Sequence, residues 1–204
     1  MKRKYKILLL LLALPLLDVM YACCNCNELL EEKFFVNSGF SIKNIDNSGV
    51  EPILSDAQSI NKNAFGIRFN VNRQIISSIK VEAYQSLFSQ GAYAFSCDCG
   101  PDVTYDPVDK VESIKIITIN NFNSDKPANS DITEYFRTKK KYLEVDEVVQ
   151  KLNSFYAYSL QETEYFDLLL MVAPSDSNIE HEFKLIITFE NKPTVELQTT
   201  VNLI

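Results

Sequence analysis

The 204-residue chain has no tryptophan, one histidine, three methionines and five glycines. Each shortage removes a class of reading. Without Trp there can be no Cys…Trp…Cys sandwich core. With His181 as the sole histidine, a histidine-based zinc site lacks ligands. A Ser-His-Asp triad or a Cys-His nucleophile would have to use that one residue. No Gly-x-Ser-x-Gly elbow occurs, and the five glycines build no phosphate-cradling loop. Basic residues are also scarce, 20 Lys and Arg against 27 Asp and Glu, a formal net charge of −7. That balance fits neither nucleic acid nor anionic lipid headgroups. Lys139-Lys140-Lys141 is the only basic run and reads as a solvated loop or strand edge. Long apolar runs are missing too. Ile7 to Leu17 is about 11 residues where a bilayer span needs roughly 20, and Asp18 interrupts it. No internal repeat, low-complexity tract or Gly/Ser linker divides the chain.

What is present begins with the address. Lys2-Arg3-Lys4-Tyr5-Lys6, the apolar run and a small residue, Ala22, compose a secretory signal. Cleavage after Ala22 would make Cys23 the first mature residue. Ala22-Cys23 at the end of the apolar region resembles a bacterial lipoprotein lipobox, with Met20 and Tyr21 where that pattern prefers Leu and a small residue. The resemblance implies a lipoprotein signal peptide over 1–22, a lipidated Cys23, and a short membrane-proximal segment over 23–33. The acyl chains would hold the protein at a membrane without a spanning helix. Plain secretion with Cys23 unmodified is the alternative. Residues 1–22 carry +3 (Lys2, Arg3, Lys4, Lys6, Asp18), so the mature chain carries −10.

With Cys23 set aside, Cys24, Cys26, Cys97 and Cys99 form two Cys-x-Cys pairs. Outside the cytoplasm thiols oxidise, and a bond within either pair would close a very small, strained ring. Disulfides joining the two pairs are therefore expected, 24–97 with 26–99 or 24–99 with 26–97. Free thiols and a four-thiolate metal site are the alternatives, the latter against the usual zinc spacing of Cys-x2–4-Cys.

After a short helix expected over Asn27–Lys33, period-2 patterning dominates. Phe34, Val36, Ser38, Phe40 and Ile42 share one face, with Asn37, Ser41 and Lys43 opposite. Ile67, Phe69 and Val71 alternate with Arg68, Asn70 and Asn72. Ile75–Val81 and Ala92–Cys97 are weaker strands. Ile114–Ile119 and Phe166–Val172 are apolar on both faces and read as central strands. Phe183 to Phe189 and Val195 to Leu203 alternate around Asn191-Lys192-Pro193, a hairpin. Asp146 opens a helix with Val145, Val148, Val149, Leu152 and Phe155 as its apolar stripe. Ser130-Asp131 with Glu134 reads as a second, shorter helix start. The expected fold is mainly β: a single immunoglobulin-like or related β-sandwich over 34–204 with one or two short helices inserted. A small α+β arrangement is the alternative.

Candidate chemistry is sparse. His181 opens a strand beside Glu180 and Glu182, where a lone histidine is expected to be exposed. Asp98, Asp102, Asp106 and Asp109 lie in one turn-rich stretch and could bind Ca²⁺, although the spacing matches no EF-hand. Turn capping explains the same aspartates. Glu162/Glu164 and Glu180/Glu182 are carboxylate pairs, but glycoside hydrolysis depends on spatial separation. Tyr156, Tyr158 and Tyr165 cluster and could offer a sugar platform, or simply pack. Taken together, the lipobox-like Cys23, the Cys-rich mature start and the acidic, Asn- and Tyr-rich β domain resemble small outer-envelope lipoproteins of Bacteroidota, domain-of-unknown-function families included. The resemblance implies export and attachment to the outer membrane, on either its periplasmic or its cell-surface face. It implies no cofactor and no catalytic residue. The expected role is non-enzymatic binding of an envelope protein or glycan. The alternatives are a hydrolase with a carboxylate or Ca²⁺ site near 98–109, and a structural accessory subunit.

Overall fold

The computed structural model describes residues 30–81, 103–153, 162–176 and 179–204. They form a mainly β structure of two sheets with one short α-helix. The large sheet has the order β2-β1-β4-β8-β7. Its strands are β1 (Leu30–Asp46), β2 (Ile53–Leu54), β4 (Phe65–Val81), β7 (Phe136–Thr138) and β8 (Thr163–Leu170). A sixth strand, β5 (Val103–Pro107), pairs in parallel with the start of β1. The small sheet has the order β3-β10-β9-β6, from β3 (Ser59–Ile60), β6 (Val111–Thr118), β9 (Ile179–Phe189) and β10 (Val195–Leu203).

The two inner faces meet as a sandwich. Ile67, Phe69, Val71, Phe166 and Leu168 of the large sheet and Phe183, Leu185, Ile187 and Val201 of the small one are all buried in one cluster. Aromatic rings bridge the sheets: Phe65 on Phe183 at 5.2 Å and Phe40 on Phe189 at 5.8 Å between centroids. Such pairs add to the area they bury. Gly66 sits on β4 between β1 and β8. A Cβ there would lie 2.7 Å from the Leu168 carbonyl oxygen and 2.9 Å from Ile45.

Several elements depart from expectation for identifiable reasons. Leu30–Lys33 are strand, not helix, because β4 and β5 both bond to this stretch, pairing Glu31 with Lys80 and with Val103. Asn27–Leu29 lie outside the described residues. The pairing with β4 has two bulges: at Phe34/Phe35 the extra residue is Ile76 of β4, and at Asn37/Gly39 it is Ser38 of β1, which divides the single inward face expected over 34–42. A bulge inserts one residue and so reverses which alternate set faces inward. Phe35 and Asn37 are buried on one side of the second bulge, and Phe40 and Ile42 pack on the core beyond it. Ile75–Val81 is the far half of β4, and Ala92–Cys97 lies outside the described residues.

Strand β8 is internal, as expected. Strand β6 is instead an edge strand, and its doubly apolar character has another cause. Residues 129–133 cover its free side, with Asn129 N–H donating to Thr118 O at 2.8 Å and Ile132 N–H to Ile116 O at 2.9 Å. The helix α1 (Asp146–Asn153) is where it was expected, with Val148 and Leu152 buried. Asn153 Oδ1 accepts from Val111 N–H at 2.8 Å, and Asn153 Nδ2 donates to Val111 O at 2.7 Å, so the helix end is tied to β6. The second helix is only a 3-10 turn, Thr133–Tyr135. Asp131 Oδ1 does accept from Thr133 N–H at 2.9 Å. Phe136 then turns extended to pair with β8, which stops the helix after one turn.

Candidate functional site

The outward face of the large sheet concentrates the exposed polar chemistry. Its composition follows from register. Inward-facing Ile67, Phe69 and Val71 turn Arg68, Asn70 and Asn72 outward on β4. Opposite them on β1 lie Lys43, Ser41 and Gly39, and on β8 lie Asp167, Tyr165 and Thr163. Three parallel rows result: Lys43-Arg68-Asp167, Ser41-Asn70-Tyr165 and Gly39-Asn72-Thr163.

Tyr165 is the aromatic of this face and is 56% exposed. Its ring lies 4.3 Å from the guanidinium carbon of Arg68, a stacking contact that fixes both groups. Arg68 is itself held by Asp167 in a two-point pair, Nε to Oδ1 at 2.6 Å and Nη2 to Oδ2 at 2.8 Å. That hydrogen-bonded carboxylate raises the Arg68 pKa further above its ordinary value, so its charge is permanent. In the neighbouring rows Asn70 Nδ2 donates to Ser41 Oγ at 3.4 Å and Thr163 Oγ1 donates to Asn72 Oδ1 at 3.2 Å. Gly39 leaves room for the Asn72 amide, whose Nδ2 lies 3.1 Å from where a Cβ would stand. The arrangement offers a fixed ring face beside side-chain amides and hydroxyls. Rings take the C–H faces of sugars, and amides and hydroxyls exchange hydrogen bonds with sugar hydroxyls.

Of the residues singled out from sequence, Tyr165 lies on this face and the others fall elsewhere. Cys23, Cys24, Cys26, Cys97, Cys99, Asp98 and Asp102 lie outside the described residues, as do Tyr156 and Tyr158. Asp106 is exposed on β5 opposite Phe34. Asp109 sits in the following turn, 3.7 Å from Lys192 Nζ. Among the described residues, no three His, Cys, Asp or Glu side chains converge as metal ligands would. Glu164 forms an ion pair with buried Arg73 at 2.7 Å.

His181 is not exposed but 1% accessible, because β9 begins two residues earlier and turns it inward opposite Val201. It stacks on Phe183 and meets the edge of Phe122. Burial lowers its pKa, and the charge and backbone of Asp176 act weakly against that.

Arg68, Asn70 and Asn72 drew no notice from sequence beyond their place on a polar face, and Thr163 drew none. The signal available was their chemistry. Amides and hydroxyls occupy positions that a merely solvated face fills with Lys and Glu.

The family described as "Domain of unknown function (DUF5034)" matches residues 37–200. No protein in the curated set matches the chain. Among solved structures, the C-terminal domain of the Streptococcus pyogenes antigen I/II-family protein AspA is similar at 10% identity and a TM-score of 0.27. That match covers 81% of this chain and 46% of that one. The C-terminal domain of the Streptococcus agalactiae AgI/II polypeptide BspA is similar at 8% identity and a TM-score of 0.27, covering 80% and 49%. The chain thus spans about half the length of these solved chains. At such scores the likeness carries no argument.

Proposed function

The chain belongs to the DUF5034 family, whose description assigns no activity, and from that premise we propose that it is an exported, lipid-anchored, non-enzymatic envelope protein that binds a glycan through the outward face of its large sheet. The observation that carries the glycan reading is Tyr165, exposed and pinned by Arg68, within a field of amides and hydroxyls on a rigid sheet. A site on paired strands loses little freedom when it binds. The acidic balance suits a neutral or basic saccharide better than an anionic one.

Attachment through Cys23 draws support from position. Leu30 opens β1 only seven residues after Cys23, so the fold begins beside the expected anchor. The cross-linked cysteine reading draws support from β1 and β5. These strands run parallel as neighbours, with Glu31 beside Val103, and each Cys-x-Cys pair shortly precedes one of them. Mass measurement of the mature protein from its native host tests the anchor. A diacyl or triacyl adduct on Cys23 is expected, and an unmodified N-terminus would remove it.

The glycan reading is tested on a panel of neutral, amino and acidic oligosaccharides with the full chain and its Tyr165→Ala and Asn70→Ala variants. Binding to a neutral or amino member, weakened at least tenfold in both variants with the melting temperature nearly unchanged, is the expected result. Binding that survives both changes, or no binding across the panel, would overturn it.

A further inference from the structure

The two edges of a sandwich sheet present unpaired backbone groups, and among the described residues several edges are short or covered. Strand β7 has three residues and β2 has two, while β6 is covered by residues 129–133. The middle of β1 is open but broken by a bulge at Ser38. Strand β10 differs. Only Asn202 and Leu203 are paired on its outer side, by the two-residue β3. Asn202 N–H donates to Gln58 O at 3.0 Å, which fixes the direction of the alternation. Thr200, Gln198 and Glu196 therefore point their backbone groups the same way.

Among the described residues, β1 runs close to β10, and this stretch is met by the side chain of Asn44. Its Nδ2 donates to Thr200 O and its Oδ1 accepts from Thr199 Oγ1, both at 2.8 Å. The pairing of β10 with β9 runs from Val195 to Leu203 without a bulge, and no proline interrupts it. The edge is thus regular, and among the described residues no strand pairs with its outer side from Glu196 to Thr200.

Two features flank it. Half-buried Val195 and Leu197 of β10 and Phe40 and Ile42 of β1 lie over the core below the edge. Beside Thr199–Asn202 is a polar groove of about 710 Å³, bordered by Lys43, Asp56, Gln58 and Glu180. Its wall holds the Asn202 Oδ1, a buried acceptor without a hydrogen-bond partner.

We infer that a partner protein adds an extended, basic peptide along β10 from Glu196 to Thr200, in line with β3, as a further strand of the small sheet. Backbone groups recognise backbone groups, so the outward N–H and C=O groups of Glu196 and Gln198 and the N–H of Thr200, whose C=O is taken by Asn44, select an extended peptide and not a sugar. Alternate apolar side chains of that peptide would drop toward Leu197 and Ile42. Asp56 and Glu180 against Lys43 leave the groove negative, which favours lysine or arginine at the intervening positions. This site adjoins the glycan face at Lys43 but does not depend on it.

The probe is the acetylated and amidated hexapeptide Val-Lys-Val-Lys-Val-Lys, titrated to millimolar concentration into the full chain. Amide exchange at Glu196, Gln198 and Thr200 should slow at least tenfold. Two versions of the peptide, N-methylated on alternate residues so that each blocks one backbone edge, should differ: one loses at least tenfold in affinity and the other binds as the parent does. Gln198→Pro removes an outward N–H that no strand uses and should abolish binding while leaving the β9–β10 ladder intact. Because the N-methylated peptides read the same contact on the unaltered protein, the test holds even if that variant fails to fold. No protection at millimolar peptide, or equal binding of both N-methylated forms, overturns the inference. Protection that appears without peptide and grows with protein concentration also overturns it, since the occupant would then be a second copy of this chain.

Discussion

At the scale of single residues, two polar groups, one buried and one partly solvated, carry consequences out of proportion to their number. His181 lies between Phe122 and Phe183, and neither ring nitrogen has a hydrogen-bond partner. Burial disfavours the imidazolium and lowers its pKa from 6.5, while Asp176 opposes the shift. The folded state then binds fewer protons than the unfolded one, so this contribution to stability is full above about pH 6.5. It is lost progressively as pH falls from there toward the depressed folded value. Urea unfolding between pH 7.5 and 5 should show that decline in the native protein and a smaller one in His181→Leu. An identical pH slope in the two proteins would remove His181 from the account. At pH 7.5 the leucine variant should lie within about 1 kcal/mol of the native protein, because it replaces unpartnered nitrogens with apolar atoms of similar bulk. Arg68 presents the opposite case, a charge with a good partner. Its removal in Arg68→Ala leaves Asp167, whose side chain is 7% exposed, without its counter-ion. The expected cost is about 2–3 kcal/mol, below the figure for a fully buried pair because Arg68 is partly solvated. Denaturant titration measures it, and Arg68→Ala should also weaken any ligand that rests on Tyr165, which loses the group that pins it.

At the scale of elements, what was legible in the sequence depended on whether one local pattern decided the outcome. The β9–β10 hairpin was legible because both strands keep a strict alternation around a turn, and nothing competes with it. Helix α1 was legible because its stripe has helical spacing. Strand β1 was only partly so. Its bulge at Ser38 is set by pairing with β4, and no residue of β1 announces it. The edge position of β6 was hidden for a similar reason, since residues 129–133 cover the strand from elsewhere in the chain. The outward face of the large sheet needed three strands in register before Tyr165, Asn70 and Ser41 became neighbours. The tie between α1 and β6 was equally invisible, because it rests on one side chain. Asn153→Ala deletes both bonds to Val111 and leaves a partly buried N–H and C=O without that partner. A loss of about 2 kcal/mol is expected, at about 1 kcal/mol for each bond. Hydrogen exchange should speed up at Val111 and through α1 more than in β9. A uniform change across the protein would mean that the helix does not move as a unit on this tie.

At the scale of the molecule, β1 and β4 are 17 residues each, about 56 Å at 3.3 Å per residue, and they outrun the small sheet. Their far halves, with β5 beside them, make a three-stranded extension from Leu30–Phe35, Ile75–Val81 and Val103–Pro107. This part carries exposed Ile75, Ile76 and Ile79 and so has less apolar burial to hold it than the sandwich proper. Its parallel pair, β1 with β5, joins segments some 70 residues apart in sequence, and closing such a loop costs chain entropy that cross-links between Cys24/Cys26 and Cys97/Cys99 would remove from the unfolded state. A first bond across about 73 residues is worth on the order of 4 kcal/mol in the chain-entropy model, and a second adds much less. The prediction is therefore specific to place as well as size. A non-reduced peptide map should join the two Cys-x-Cys segments, and reduction should lower stability by several kcal/mol. Amide protection should fall first at Glu32, Lys33, Thr104 and Tyr105, while the β9–β10 ladder keeps its protection until the whole domain opens. Four free thiols, or bonds confined within each pair, would leave β1 and β5 held by their ladder alone. The extension would then have to persist under reduction with its protection unchanged.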